Sequence, residues 1–149
     1  MKEAIRHLDQ RLTPLRPLFA SVRPSKGWIR AVRDALGMTT EQLARRIGVT
    51  QSRIPILERA EANGTITLKS LERAAEALGC RVVYVLIPER PLAETLRVRA
   101  ERMADRQLDA IGHSMKLEDQ AVGDDSRARQ RERLIEQLLQ RPARLWDET

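Results

Sequence analysis

Apolar residues recur along this 149-residue chain at helical steps of three and four, with one exception. Leu8, Leu12, Leu15, Leu18, Phe19 and Val22 open with that spacing. Pro14 and Pro17 interrupt it, which predicts a helical arm over residues 1–26 that breaks near Pro14. Pro24-Ser25-Lys26-Gly27 punctuates the chain, and Trp28, Ile29, Val32 and Leu36 predict the core side of the next helix. From Thr67 to Leu78 the residues Leu68, Leu71, Ala74, Ala75 and Leu78 share one face, and Gly79 ends the pattern. The exception is Cys80 to Ile87, CRVVYVLI, an apolar run rich in β-branched residues and closed by Pro88. It reads as a strand. After Pro91, Leu92, Leu96, Ala100, Ala104, Leu108, Ile111 and Met115 predict a long amphipathic helix. Gly123-Asp124-Asp125-Ser126 breaks the chain, Leu134, Ile135, Leu138 and Leu139 predict a last helix, and Pro142 ends it. Trp146 follows, and a Trp so placed is normally held by packing on its own body or on a partner.

The densest information lies at Thr39–Ala60, TTEQLARRIGVTQSRIPILERA. Thr39 with Gln42 three residues on forms a capping-box pattern. Leu43, Ala44 and Ile47 make one apolar face, with Ala44 small enough for a second helix to cross closely. Gly48 supplies a turn at positive φ, and Val49 plugs the angle between the helices. Thr50 is a candidate cap for the second helix, whose Ile54 and Leu57 return to the core. Two short helices joined in this way have the layout of a helix-turn-helix DNA reader; an ordinary helical hairpin is the alternative. The layout leaves Gln51, Ser52, Arg53 and Ile56 facing outward at the start of the second helix. Gln can bond an adenine edge at two points, Ser can bond either base type, Arg can reach guanine or phosphate, and an apolar contact suits a thymine methyl. Thr40, Gln42, Arg46 and Thr50 are the expected contacts to the DNA backbone. Pro55 departs from the pattern, and predicts either a kinked helix or one that begins further along.

A lone strand leaves its ladder groups unpaired, and no second strand is evident in the sequence. The simplest expectation is that Arg81, Val82, Val83, Tyr84, Val85 and Leu86 pair with the same residues of a second copy across a twofold axis. Cover by the C-terminal helices or pairing with another protein are the alternatives. A twofold dimer also suits a palindromic operator, with half-sites about 34 Å apart.

Composition narrows the function classes. The single cysteine, Cys80, excludes an internal disulfide and a Cys-rich metal site, and His7 and His113 show no metal-ligand spacing. No metal and no cofactor is therefore expected. No phosphate loop, nucleophile signature or paired-carboxylate motif is present, so no enzyme is expected either. No secretory signal and no long apolar span is evident, which predicts a cytoplasmic protein away from the membrane. Residues 1–79 hold 14 Lys and Arg against 8 Asp and Glu, whereas residues 80–149 hold 13 of each. All of the net charge of +6 thus lies in the half with the two-helix motif, which favours phosphate contact, although basic surfaces are also common without nucleic acid. Arg6, Arg11, Arg16 and Arg23 of the arm either track a DNA backbone or form a solvated face.

Residues 27–87, from GWIRAVRDALGMTTEQLARRIGVTQSRIPILERAE through TLKSLERAAEALGCRVVYVLIP, resemble the Cro/repressor-type helix-turn-helix family often called XRE. HSMKLEDQ at His113–Gln120 and LWDE at Leu145–Glu148 resemble more closely the subgroup known as mobile mystery protein A. The subgroup resemblance implies a neighbouring Fic-domain protein. Such pairs are similar to toxin–antitoxin modules, in which the DNA-binding partner represses its own operon and restrains the enzyme. Many Fic enzymes are inhibited by a helix bearing (Ser/Thr)-x-x-x-Glu-(Gly/Asn). Here Ser114 and Glu118 match that spacing, while Asp119 departs from it. Ser114 and Glu118, four apart, would share a helix face.

The expectation is a mainly α protein in four parts: an arm at 1–26, a repressor-like helix-turn-helix domain at 27–79, a dimerisation strand at 80–88 and a C-terminal helical extension at 89–149 that binds a partner. The expected function is a homodimeric, sequence-specific repressor of double-stranded DNA that autoregulates an operon with a Fic-type toxin and acts as its antitoxin. Two alternatives stand beside it: an inhibitor of a Fic enzyme for which DNA binding is secondary, and a repressor with no toxin partner.

Overall fold

The computed structural model describes residues 1–21, 23–117 and 123–147. Its chain divides into two compact units, one formed by Met1–Arg16 with Ile87–Thr149, the other by Pro17–Leu86. The first sixteen residues therefore pack with the C-terminal helices and do not stand apart as an arm.

The Pro17–Leu86 unit holds four helices, α2 (Trp28–Ala35), α3 (Thr40–Ile47), α4 (Arg53–Ala62) and α5 (Leu68–Ala77). Ile29, Leu43, Ala44, Ile54, Ala74, Ala77 and Leu78 make its buried core, and Val32, Ile47, Val49, Leu57 and Leu71 pack against it. Trp28, Leu36 and Leu68 were expected in that core and are instead about half exposed. Trp28 and Leu68 are the first residues of α2 and α5, and Leu36 directly follows α2.

A buried ion pair ties α2 to α4. The Arg33 guanidinium donates through Nε to Glu58 Oε1 at 2.6 Å and through Nη1 to the Met38 carbonyl at 2.9 Å. Both side chains are about nine-tenths buried. The hydrogen bond that Arg33 donates to Glu58 holds its guanidinium above its ordinary pKa, against the cost of burial. At the start of α2 the Ile29 amide faces Glu61 Oε2 at 3.5 Å. The Glu61 carboxylate passes so close to Gly27, at φ 82°, that a Cβ there would lie 1.9 Å from Oε2. Arg23 closes the same corner, donating to the carbonyls of Glu61 and Ala62 at 2.9 and 2.7 Å, where α4 runs out of internal partners.

In the other unit, α6 (Leu92–Leu117) and α7 (Asp124–Gln140) pack together, with α1 (Lys2–Leu12) against α6 and a short 3-10 helix at Pro142–Trp146. Ala100, Ala104, Ile135, Leu138 and Leu145 form its core. Pairs Arg97–Glu132, Asp105–Arg131 and Asp109–Arg127 descend along α7 as they ascend α6, so the two helices run antiparallel. Arg131 holds the Asp105 carboxyl below its ordinary value through their hydrogen bond. The Asp9 carboxylate of α1 accepts the Leu92 and Ala93 amides at 2.7 and 3.1 Å, and so caps α6 from 83 residues away. Trp146 is about half exposed, with the Arg99 guanidinium 4.0 Å from its ring centre.

The expected strand is absent. Arg81, Val82, Val83, Tyr84, Val85 and Leu86 run without regular structure, and no strand occurs among the described residues. The reason is the one that isolates any strand: a single chain offers this run no ladder.

Replacing Glu58 by Gln strands a buried guanidinium charge. Urea denaturation is expected to show a loss of about 3–5 kcal/mol. A loss below about 1 kcal/mol, the range of exposed pairs such as Glu41–Arg45, would contradict the role given to this pair.

Candidate nucleic-acid interface

The turn between α3 and α4 is built as the residues dictate. Thr39 Oγ1 accepts the Gln42 amide at 3.1 Å, and Gln42 Oε1 accepts the Thr39 amide at 2.8 Å. This reciprocal box fixes where α3 begins. Gly48 ends the helix at φ 82° and ψ 38°, a left-handed conformation that costs any side chain energy. The amides of Gly48 and Val49 both donate to the Ala44 carbonyl, at 2.9 and 3.0 Å. The chain then reverses around Val49, half-buried against the core.

Thr50 does not cap α4. That helix begins at Arg53, after Ser52, and no side chain caps it. Thr50 Oγ1 lies instead 3.2 Å from Ser52 Oγ. The later start resolves the anomaly of Pro55, which becomes the third helical residue. At that position an amide has no intrahelical acceptor, so proline forfeits nothing. Arg53 and Ile54 enter the helix through bonds to the carbonyls of Thr50 and Gln51 at 3.0 and 3.1 Å.

Gln51, Ser52, Arg53 and Ile56 are all exposed, with Ile54 between them completely buried. The α4 start thus presents an amide, a hydroxyl, a guanidinium and an apolar side chain to solvent. Gln51 is anchored: its Nε2 donates to Thr40 Oγ1 at 3.0 Å, which joins the turn ahead of α4 to the first residue of α3. The bond spends an amide proton and leaves the carbonyl oxygen to accept.

The expected backbone contacts are placed unequally. Thr40 and Thr50 lie beside this surface, with Thr40 half-buried and bonded to Gln51. Gln42 spends its carbonyl oxygen in the capping box. Arg46 donates through Nε to the Ala77 carbonyl at 2.6 Å, closing the C-terminal end of α5. Arg73 similarly donates to the Ile47 carbonyl at 3.2 Å. Sequence reasoning did not find Arg33, Glu58 or the Thr40–Gln51 bond. A charged residue on the inner face of a helix is the signal for the ion pair, and the Thr at the start of α3 is the signal for the bond.

Of the Ser114–Glu118 pair, Ser114 falls within α6 and Glu118 lies outside the described residues. Among the described residues no group of three His, Cys, Asp or Glu could hold a metal ion, and no helix is long and apolar enough to cross a membrane.

Residues 29–85 match the protein-family model described as Helix-turn-helix. The chain carries a helix-turn-helix domain over this segment, which spans α2 to α5 and points to a DNA-binding transcriptional regulator. Comparison with curated proteins and with solved structures finds no match.

Proposed function

We propose that this protein is a sequence-specific DNA-binding repressor that reads bases with the start of α4. The observation that carries this reading is the anchored, exposed cluster of Gln51, Ser52, Arg53 and Ile56 within a segment that matches a helix-turn-helix family. Gln51 offers its free carbonyl oxygen to a base amino group while Thr40 holds the other end of its amide. Arg53 supplies the bidentate donor suited to guanine, and Ile56 an apolar contact suited to a thymine methyl. Thr40, Gln42, Arg46 and Thr50 set the register on the phosphate backbone.

The repressor acts as a homodimer, joined through Arg81–Leu86. Val83, Tyr84 and Leu86 are 83, 71 and 87% exposed, a concentration of apolar surface that a soluble chain covers. Two copies of this run supply each other's missing ladder and set two reading helices on a palindromic operator. A Fic-domain protein is the second partner, encoded in the same operon, which this cytoplasmic repressor autoregulates. This part rests on the resemblance carried by His113–Gln120 and Leu145–Glu148, with Ser114 and Glu118 as the inhibitory pair.

Three outcomes check these assignments. Gln51→Ala is expected to relax preference at one base pair and to weaken binding there by about 1–3 kcal/mol; an unchanged site preference from selected random DNA would reject Gln51 as a reader. Tyr84→Pro removes a ladder donor at an exposed position and is expected to convert the dimer to monomer in sedimentation equilibrium. A variant that stays dimeric would place the interface elsewhere. Glu118→Ala is expected to release the Fic partner's nucleotide transfer while operator binding stays intact, and continued inhibition would reject the Ser114–Glu118 motif.

A further inference from the structure

We propose that the groove beside α4 is a seat for one DNA phosphodiester, with Lys26, Arg30 and Arg59 as its cationic walls. The proposal rests on the DNA-reading assignment and deepens it, because none of these three residues belongs to the turn that the base-reading pattern singles out.

The groove encloses about 460 Å³ between the segment leading into α2 and the outer face of α4. Pro55 and Arg59, four apart, contribute one face of α4, while Lys26 and Arg30 contribute the opposite wall. The Arg33–Glu58 pair also lines it, and its two charges offset each other. What remains is positive. Lys26 and Arg59 are exposed, and neither has a carboxylate partner among the described residues. Arg30 lies 3.6 Å from Asp34, but both side chains are about half exposed, so water screens the pair and leaves Arg30 able to engage another anion.

Two features select a backbone phosphate over other anions. Among the described residues no aromatic side chain lines the groove, so none of them stacks a base or a nucleotide ring there. Thr40 lines the groove and also accepts the Gln51 amide, so the cationic walls begin one residue from the base-reading surface. A duplex contacted by Gln51 carries a phosphate every few ångströms along each strand. Long, flexible cations without fixed acceptors beside them hold such a charge and read no sequence.

The test is the salt dependence of binding by the full-length protein. Kd is measured from low to moderate salt for the selected operator and for a scrambled duplex, with the wild type, Lys26→Ala, Arg59→Ala and the double variant. The slope of log K against log salt falls by about 0.9 for each phosphate no longer held, so the double variant, which loses this one seat, is expected to lose about 0.9. It is expected to weaken on both duplexes alike, with its preferred sequence unchanged, and Lys26→Arg with Arg59→Lys is expected to keep the wild-type slope. A double variant with the wild-type slope would overturn the groove assignment and leave base reading standing. A wild type that discriminates neither duplex would overturn the DNA-reading assignment itself, and the groove with it.

Discussion

The Arg33–Glu58 pair is the constraint around which the helix-turn-helix domain is organised. A guanidinium withdrawn from water is tolerated only when its protons are met, and Arg33 meets Glu58 on α4 and the Met38 carbonyl ahead of α3. One side chain therefore ties α2 to α4 and to the loop that launches α3. The aliphatic core around Leu43 and Ile54 supplies the attraction between the helices, but apolar contact is not directional. The ion pair adds direction, and the capping box and the left-handed Gly48 add fixed ends. Reading bases requires such fixity, because side chains must reach their partners to within fractions of an ångström.

The same economy shows at the surface. Gln51 is exposed, yet its amide is already bonded to Thr40, so little side-chain freedom remains to be lost on meeting a base. Arg46 and Arg73 each spend one donor, Nε and Nη2, on closing a helix end and keep their charge. Lys26, Arg53 and Arg59 are exposed and close no helix end among the described residues. The helical unit solves a different problem. Its α6 begins just after the exposed apolar run, and Asp9 caps it from the opposite end of the chain.

Much of the domain was legible in the sequence because its signals are local. Thr39 with Gln42, Gly48 with Val49, and the apolar steps of α3 and α5 each act within a few residues, and the structure holds them as read except at Leu68, which is half exposed at the start of α5. Pro55 pointed to a kinked helix or a later start, and the structure has the later start, with α4 beginning at Arg53. Thr50 was assigned a capping role by composition, and the turn spends it on Ser52. What periodicity could not reveal is long-range. The Arg33–Glu58 pair spans 25 residues and the Asp9 cap spans 83, and neither leaves a repeating trace. The run at 81–86 has the composition of a strand, but a strand is a property of two segments, and the chain alone provides one.

The central claim is that the start of α4 reads DNA sequence. Selection of bound duplexes from a random library by the full-length protein, under nonspecific competitor at physiological salt, tests it most directly. The account predicts a palindromic consensus whose half-sites lie about one helical turn apart, recovered with the wild type and blurred at one position in each half with Gln51→Ala. Recovery of no consensus, with binding that salt abolishes equally for every duplex, would contradict it.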